Sequence, residues 1–447
     1  MGLFDWLFGK KNPTDPYQRK VDPTQYRLHQ TQTSGAANLP PVPMSSPIGT
    51  PIDAWPDSAG VRMLKPRYRR SKDPKSIEGK QNEPIGYWHE QMGGTVKDPV
   101  KGGNPSRTAQ LGLPSIPHAD ALASLLGIST RALEGWIGGL LNEQNYVVRG
   151  IAKKSGGTRY LMAPMPKLKA LQRTLRTSLV DKLPLNACVH GFRRDHDILS
   201  NGTVHVNKRV VICMDVLQFF PSFDLRRVCG YFRWLGYSRG IALSLAKFTT
   251  ADSFNGQLVS ASGREGFAQS TPAYVALKNQ YRQPQLPQGA PTSPGIANAI
   301  VWRMDKRLTA LARKFGGDYT RYADDLTFSG FEKMAKHAKL IVALVEKIVH
   351  TEGLAINKKK TRIMRKGRQQ RVTGVVVNKQ TNASREQFDL LKAILHNCAK
   401  KGPSTQNRSN HPNFKEHLRG RVAHIAHIGP ERGAKLKKLF DAIDWSR

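Results

Sequence analysis

The chain has 447 residues, enough for several structural units, and its 70 lysines and arginines against 33 acidic residues give a formal net charge of +37. This excess predicts a polyanionic partner, nucleic acid first, with a solvated basic surface or anionic lipid as the alternative. The four scattered cysteines form no CxxC pair, and no apolar run reaches the ~18 residues of a membrane span. The sequence therefore argues against a zinc site, a disulfide framework and a transmembrane protein, and it fits a reducing cytoplasm.

Residues 1–115 are predicted to form a largely irregular, proline-rich arm. Prolines and other turn-forming residues are dense here, as in NLPPVPMSSPIGTP, and apolar periodicity is absent. The basic stretch RMLKPRYRRSKDPK within the arm fits either a segment that wraps RNA or a disordered charged linker.

Folded elements are expected from about residue 117. Apolar residues at helical spacing, with Gly127 between two groups of them, occur in IPHADALASLLGISTRALEGWIGGLL. A basic helix follows in PKLKALQRTLRTSLVDKLP. The segment KRVVICMDVLQFFPSF predicts a buried strand that runs into Asp215, and a further helix is expected to be capped by Asp224.

A hairpin is predicted around RYADDLTFSG, residues 321–330, with strands over 318–322 and 326–329. Apolar residues from Phe331 to Ile348, at alternating steps of three and four, predict one long amphipathic helix. RVTGVVVNKQ predicts a short strand pair, and the last sixty residues are expected to be mainly helical. Strand, helix, hairpin, helix and strand in this order are the split βαβ pattern of a ferredoxin-like sheet.

Two adjacent carboxylates, Asp324 and Asp325, lie at the turn of this hairpin. Aspartate is common in turns for purely local reasons, which is the ordinary explanation. However, adjacent carboxylates repel each other, and Asp215 would lie on the neighbouring strand at the end of an apolar run. Because Mg²⁺ prefers oxygen ligands and pairs of such ions promote in-line phosphoryl transfer, we expect the turn to hold catalytic metal.

At these residues the sequence resembles a known family. YADD, preceded by MDVLQFFPSF and LPQGAPTSP, is similar to the palm of a reverse transcriptase in the order and spacing of three motifs. KKSGGTRYLMAPMPKLKALQRTL, HGFRRDHDILSNGTVH and QRVTGVVVN are similar to motifs of bacterial retron reverse transcriptases. The resemblance covers about residues 117–447.

The resemblance implies an α+β right-hand polymerase with a ferredoxin-like palm, fingers and a helical thumb. N-terminal helices and fingers would occupy residues 116–209, and the palm with its YADD hairpin would occupy 210–380. Residues 381–447 would form the thumb, which binds an RNA stem-loop.

Two short motifs mark the retron group. Its NAxxH motif lies by position at Asn201–His205, with Gly202 in place of alanine, whereas the letters fit better at Asn186–His190. We prefer the position over the letters. The VTG motif corresponds to Val372, Thr373 and Gly374.

The resemblance also implies roles for single residues. Asp215, Asp324 and Asp325, with the backbone carbonyl of Val216, would hold two Mg²⁺ ions, with Mn²⁺ as a possible substitute. Phe220 would be the aromatic gate that rejects the 2′-OH of a ribonucleotide; a core phenylalanine is the alternative.

Contacts with the incoming dNTP and with RNA are implied in the same way. Gln288 and Gly289 would face the template and nucleotide, and Lys154 and Arg159 would grip the triphosphate, assisted by Arg193. Lys360 would lie near the departing pyrophosphate, with Lys359 nearly as good a candidate. Phosphate contacts along RNA are expected from the basic run Lys358, Lys359, Lys360, Arg362, Arg365, Lys366, Arg368 and Arg371, and from Arg419 and Arg421 of the thumb. For each of these, a solvated surface charge or an ordinary loop is the alternative.

The function implied is that of a retron-type reverse transcriptase. Such an enzyme uses dNTPs to copy part of a cognate structured non-coding RNA, its template and primer, into multicopy single-stranded DNA. Priming from a guanosine 2′-OH leaves a branched RNA–DNA product, and an effector protein would complete an anti-phage defence complex. A group II intron-like or other defence-associated reverse transcriptase is the nearest alternative, although the chain leaves little room after the thumb for additional domains. A non-catalytic RNA-binding scaffold is the alternative from another class; the three intact aspartates argue against it.

Overall fold

The computed structural model describes residues 103–138, 145–152, 158–251, 258–259 and 284–446. Most of the predicted proline-rich arm lies outside these ranges, as does Lys154. Among the described helices, none is long and apolar enough to cross a membrane.

The helices, in chain order, are α1 Pro105–Gln110, α2 Ala119–Leu126, α3 Thr130–Ile137, α4 Pro166–Ser178, α5 Ile198–Thr203, α6 Leu225–Trp234, α7 Arg239–Thr249, α8 Ser293–Ile300, α9 Trp302–Lys314, α10 Glu332–Lys336, α11 Ala338–Thr351, α12 Arg385–Lys401, α13 Phe414–Ile428 and α14 Pro430–Asp441. Short 3₁₀ turns occur at Val180–Lys182, Phe220–Ser222, Lys358–Lys360 and Pro403–Thr405. The strands are β1 Tyr146–Ala152, β2 Thr158–Pro164, β3 Val210–Asp215, β4 Leu258–Val259, β5 Gly317–Tyr322, β6 Asp325–Gly330, β7 Arg362–Arg365, β8 Arg371–Val372 and β9 Val375–Val376.

These elements group into two compact units, each made of two chain segments. The first comprises the described residues up to Lys182 together with Phe223–Ser293, and the second comprises Leu183–Ser222 and the chain from Pro294 onwards. The predicted boundary between fingers and palm at residue 209 does not follow this division. Helix α5 belongs to the second unit, where it contacts β5, β8 and β9.

In the first unit, ordered structure begins earlier than the sequence predicts. Helix α1 starts at Pro105, and the Asn104 side chain caps it by accepting a 3.0 Å hydrogen bond from the Arg107 amide. The prediction of irregular chain up to residue 115 is therefore wrong from residue 103. The predicted pair of helices is confirmed as α2 and α3, and Gly127, with φ of 70°, ends α2 in the left-handed conformation.

The rest of the first unit contains the predicted basic helix, α4, and a sheet of order β2-β1-β4. Gln172 of α4 is fully buried, and its amide nitrogen donates to the Tyr146 hydroxyl at 2.9 Å and to the Phe248 carbonyl at 3.1 Å. The helix α6 expected after β3 is also present, capped by Asp224 as predicted.

The second unit is built on an antiparallel sheet of order β5-β6-β3-β7. With β3, β5, β6 and β7 as successive strands, this is the ferredoxin-like order, so the predicted palm topology is confirmed. One face of the sheet presents Ile212, Met214, Leu326 and Phe328, all buried. Helices α9 and α11 contact this sheet at β5 and β3 respectively.

The helix predicted after the hairpin is two helices rather than one. The break falls at His337, whose ring Nδ1 lies 2.8 Å from the Lys333 carbonyl oxygen and so occupies a main-chain acceptor. Phe331, expected on the apolar face, is 56% exposed, with the Lys208 ammonium 5.0 Å from its ring centre.

The other face of the sheet is covered at one end by α5 and by the β8–β9 hairpin. Val211 packs there with Val372, Val375, Val377 and Ile428. The predicted strand pair in RVTGVVV is thus confirmed, as is the helical end of the chain. Helices α12–α14 enclose a core of their own that includes Leu391, Leu395, Leu418 and Leu436.

Candidate active site

The second unit brings the three predicted aspartates together. Asp215 is the last residue of β3, and it pairs in register with Asp325, the first residue of β6. Asp324 lies in the turn between β5 and β6, and its carbonyl accepts a 2.9 Å hydrogen bond from the Val216 amide. The strand end that carries Asp215 is therefore tied directly to the hairpin turn.

The turn itself is held in an unusual backbone conformation. Ala323, with φ of 54°, lies in the left-handed region that non-glycine residues rarely adopt. Gly191 approaches it so closely that a Cβ there would lie 2.6 Å from the Ala323 nitrogen. A neighbouring amide, that of His190, donates to the Arg321 carbonyl at 2.8 Å. The segment 188–191 therefore supports the hairpin alongside β5.

A fully buried charged network holds the hairpin on the packed side of the sheet. Arg321 Nε and Nη2 each donate to a carboxylate oxygen of Asp305 at 2.8 Å, and neither side chain is exposed. Arg321 Nη1 donates to Asn298 Oδ1 at 2.6 Å and to the Ala323 carbonyl in the turn at 3.2 Å. Burial lowers the pKa of Arg321, but the charge and hydrogen bonds of Asp305, together with Tyr319 and Cys188, raise the pKa above its usual value, so the guanidinium stays charged.

Sequence reasoning missed this network. Arg321 stands next to the YADD letters but received no role, and neither Asp305 nor Asn298 was singled out. The available signal was an arginine at a strand position whose neighbours on the same face are apolar.

Three carboxylates, those of Asp215, Asp324 and Asp325, lie close together at the turn end of the hairpin. Loss of water around Asp325, although its side chain reaches solvent, together with the charges of Asp324 and Asp215, raises the pKa of Asp325 to about 7. Lys360 and Arg362 oppose this shift. The Lys360 ammonium lies 2.8 Å from Asp215 Oδ1. Asp215 therefore already forms an ion pair with a lysine.

The donor set fits a hard divalent ion that is completed by substrate. Among the described residues, no three His, Cys, Asp or Glu side chains are arranged as a ready-made metal cage. Mg²⁺ is commonly held by one or two carboxylates, with water and substrate phosphates supplying the other oxygens. Asp215 and Asp325, facing each other across two strands, provide such a pair.

Two cavities meet at Asp325. The first, of about 420 Å³, is lined by Cys213, Met214, Asp215, Asp325, Lys359, Lys360 and Arg362. The second, of about 360 Å³, is lined by Ile198, Cys213, Tyr322, Asp325, Thr327, Arg362, Arg371, Thr373 and Gly374. The cationic turn 358–360 and the edge strand β7 thus lie beside the carboxylates.

The two short marker motifs contact the hairpin and each other. His205 is fully buried, with Nδ1 2.7 Å from the Ser329 hydroxyl and Nε2 2.7 Å from the Thr320 hydroxyl, so it links β6 to β5. Asn201 donates to the Thr373 hydroxyl at 3.3 Å. In the segment that fits the letters better, Asn186 donates to the Trp302 carbonyl, and His190 Nδ1 lies 3.0 Å from the Ser200 hydroxyl.

Comparison with known proteins places this arrangement in a family. The profile described as "Reverse transcriptase (RNA-dependent DNA polymerase)" matches residues 151–377. The Retron Mx65 reverse transcriptase of Myxococcus xanthus is 37% identical over 74% of this chain and 73% of its own length. The Retron Mx162 reverse transcriptase of the same organism is also 37% identical, over 72% and 66%. The Retron Ec86 reverse transcriptase of Escherichia coli is 30% identical, over 76% and 94%.

The chain belongs to the retron reverse transcriptases. It is an RNA-directed DNA polymerase, and its family generally uses divalent metal ions. The retron relatives imply a cognate RNA as template. The predicted family and fold class are thereby confirmed, whereas the roles of single residues stay predictions.

The predicted gate of this reverse transcriptase is half-buried, in contrast to its neighbour. Phe219 is in the core, while Phe220 lies in a 3₁₀ turn with its ring 6.5 Å from that of Phe192. Phe192 is 42% exposed and also lies 6.3 Å from the Tyr322 ring of the hairpin. Phe192 was missed, although it occurs in the HGF stretch that carries the resemblance.

The other residues predicted to contact the dNTP are divided between the two units of the reverse transcriptase. Arg193, in the second, donates to the carbonyls of Asn186 and Val189, so part of its guanidinium holds its own loop. In the first unit, Arg159 lies on β2, and the Gln288 carbonyl accepts a 2.8 Å bond from the Met162 amide. Gly289 has φ of 132°, and a Cβ there would lie 2.7 Å from the Met162 carbonyl oxygen, so this loop requires glycine.

The predicted RNA contacts lie on exposed edges of the second unit. The exposed members of the basic run are Lys358, Lys359, Lys360, Arg362, Arg365, Lys366 and Arg368, and Arg371 is half-buried. On α13, Arg419 is exposed and pairs with Glu416 at 3.0 Å, and Arg421 is half-buried. These positions suit phosphate contacts.

Proposed function

We propose that this reverse transcriptase makes multicopy single-stranded DNA from a cognate non-coding RNA, which serves as both template and primer. The observation that carries the proposal is the pairing of Asp215 with Asp325 across β3 and β6, beside a turn that supplies Asp324 and between two cationic cavities. The similarity to three retron reverse transcriptases supports the choice of RNA.

In this proposal Asp215, Asp324 and Asp325, with the Val216 carbonyl, hold two Mg²⁺ ions, for which Mn²⁺ can substitute. Bound there, the ions supply charge neutralisation and Lewis acidity to phosphoryl transfer from a dNTP. The primer oxygen forms a bond to the α-phosphorus, and the bond from that phosphorus to pyrophosphate breaks. Lys360, already within 2.8 Å of Asp215, neutralises the departing pyrophosphate.

In this proposal the surrounding side chains select the sugar of the nucleotide and bind its triphosphate. The half-buried Phe220 ring excludes a ribonucleotide 2′-OH, and Lys154, Arg159 and Arg193 hold the triphosphate. Gln288 and Gly289 position the template and nucleotide. The basic run of 358–371 and Arg419 and Arg421 of α13 bind RNA phosphates, because guanidinium and ammonium groups along an exposed edge match a polyanion.

The priming group in this proposal is the 2′-OH of a guanosine in the cognate RNA, and the product is a branched RNA–DNA. An effector protein joins the complex in anti-phage defence. The setting is the bacterial cytoplasm, which suits four cysteines that are all free thiols.

The test replaces both hairpin carboxylates, Asp324→Asn with Asp325→Asn. We expect DNA synthesis to be abolished while the cognate RNA still co-purifies, because the amides keep the shape but lose the charge that attracts divalent ions. Asp389→Asn, an exposed aspartate on α12, is the matched control. Unchanged synthesis in the double variant would remove the hairpin from the chemistry, and loss of RNA would show that it failed to keep its fold.

A further inference from the structure

The second cavity next to the catalytic carboxylates has no role in the chemistry described so far. It shares Cys213, Asp325 and Arg362 with the first cavity, but its remaining walls come from α5, the catalytic hairpin and the Thr373–Gly374 turn. The first cavity is lined by Lys359 and Lys360, which can bind the phosphates of the incoming nucleotide. The second cavity can therefore bind a different group.

Its walls suit a phosphate and the sugar attached to it. Its lining includes two arginines, Arg362 and Arg371, one carboxylate, Asp325, and two threonines, Thr327 and Thr373. Arginine pairs with phosphate through two parallel hydrogen bonds, and hydroxyls bond phosphate or ribose oxygens. Of the two cavities described, Arg371 lines the second, whereas Arg362 lines both.

The strained backbone at Thr373 indicates that its hydroxyl has a functional role. Thr373 and Gly374 form the two-residue loop between β8 and β9, with φ of 46° and 89°. Such loops favour Asn-Gly, and a β-branched residue at positive φ is strained. Asn201, fully buried, donates to the Thr373 hydroxyl, and in the described residues its own Oδ1 has no hydrogen-bond partner. A hydroxyl that accepts this bond can still donate its hydrogen to a ligand.

A primer that reacts through an internal 2′-OH differs from an ordinary primer in carrying an extra phosphate near the reacting oxygen. A nucleotide that attacks through its 2′-oxygen while still inside an RNA chain carries a 3′-phosphodiester on the adjacent carbon. That phosphate must lie within a few bond lengths of the reacting centre, where the carboxylates would repel it. A primer that ends in a 3′-OH has no such group.

We propose that the second cavity binds the 3′-phosphodiester of the priming ribonucleotide, with Arg371 pairing to the phosphate and the Thr373 hydroxyl donating to it. The inference rests on the proposed 2′-priming and adds the residues that make an internal nucleotide usable as primer. No charge or bond changes in this contact; it positions the sugar so that its 2′-oxygen faces the carboxylates.

The experiment compares full-length variants expressed with their native locus: Arg371→Gln, Arg371→Lys, Thr373→Val and Thr373→Ser. Arg313→Gln, an exposed arginine on α9, is the charge-matched control. Three quantities are measured on each preparation: co-purified RNA, branched DNA released by a debranching enzyme, and extension of an annealed DNA primer with a 3′-OH. We expect Arg371→Gln to lose about tenfold or more of the branched product. In Thr373→Val, bound RNA and DNA-primer extension should stay close to those of the unaltered protein. In Arg371→Gln both should fall by less than the branched product, because Arg371 is one of eight cations of the basic run. Arg371→Lys and Thr373→Ser should lose less branched product than Arg371→Gln and Thr373→Val.

Equal losses of branched product and DNA-primer extension in Arg371→Gln would overturn the inference, because Arg371 would then be a general duplex contact. A loss of bound RNA as large as the loss of branched product would also overturn the inference. So would an unchanged yield of branched product. If the unaltered protein extends the DNA primer but yields no branched DNA, the proposed 2′-priming itself fails. That result is distinguishable, since it appears before any substitution is made.

Discussion

Arg321 and Asp305 form a bidentate ion pair that is completely removed from solvent, with both bonds at 2.8 Å. The pair connects β5 of the YADD hairpin to α9, and the same guanidinium reaches the Ala323 carbonyl in the turn. The position of Asp324 and Asp325 is therefore set by charges on the packed side of the sheet as well as by strand register.

Breaking this pair from one side should be more damaging than replacing both partners. Asp305→Asn leaves the Arg321 charge buried without a counter-ion, which we expect to cost about 3–5 kcal/mol in the free energy of unfolding. Arg321→Met combined with Asp305→Leu should recover much of that loss in urea unfolding. The double variant should still synthesise DNA poorly, because the turn carbonyl has lost its donor. Additive losses in the double variant would show that the pair does not act as a unit.

His205 should make stability depend on pH. Burial first, then the charges of His190 and Lys208, lower the pKa of His205 to about 3 from an ordinary value near 6.5. Between pH 6.5 and pH 3 the imidazole of His205 is protonated in the unfolded chain but neutral in the folded protein. The contribution of His205 to the free energy of unfolding is therefore full above pH 6.5 and falls as the pH drops towards 3. The slope contributed is at most about 1.4 kcal/mol per pH unit.

The check is thermal unfolding of the wild-type protein and of His205→Gln between pH 7 and pH 4.5. The variant is less stable at pH 7, because glutamine does not span Thr320 and Ser329 as the imidazole does, but its stability should fall less on acidification. Parallel curves for the two proteins would mean that His205 does not titrate in this way.

Lys360 should matter more for turnover than Lys359. Both line the first cavity, but only Lys360 is found within 2.8 Å of an aspartate, Asp215. We expect Lys360→Met to lower kcat about 100-fold through loss of charge at the leaving group, and Lys359→Met to cause a smaller loss. Single-turnover extension of a DNA primer separates this effect from RNA binding. The reverse order would reassign the role to Lys359.

Phe220→Ala should relax discrimination against ribonucleotides. Removing the half-buried ring opens space for a 2′-OH, so the ratio of kcat/KM for dNTP over rNTP should fall at least about tenfold. Phe220→Tyr keeps the ring and serves as the control. If the alanine variant loses dNTP and rNTP incorporation equally, the ring supports the fold rather than the choice of sugar.

Local patterns in the sequence predicted the elements that local chemistry determines. The β5–β6 hairpin, the strand ending at Asp215, the two helices on either side of Gly127 and the cap at Asp224 all follow from periodicity and turn residues close together in the chain. The break at His337 was not predicted, because the apolar spacing continues through it and no proline or glycine marks it in the sequence. Helix α1 was missed because its cap and proline were read as turn-forming composition.

Contacts between distant residues explain the rest of what the sequence could not supply. Arg321 and Asp305 are sixteen residues apart and meet only when β5 packs against α9. The Asn201–Thr373 bond spans 172 residues. Which lysine of the 358–360 turn faces Asp215 depends on the direction of a single 3₁₀ turn. Resemblance to the family identified the motifs, and the structure showed which side chains support them.

The central claim is tested most directly by purifying the protein from its native locus and treating the bound nucleic acid with RNase, DNase and a debranching enzyme. The account predicts a short DNA that is released from RNA only by debranching. RNA with no attached DNA, in a preparation that still extends an annealed primer with dNTPs and Mg²⁺, would keep the polymerase but contradict retron-type synthesis.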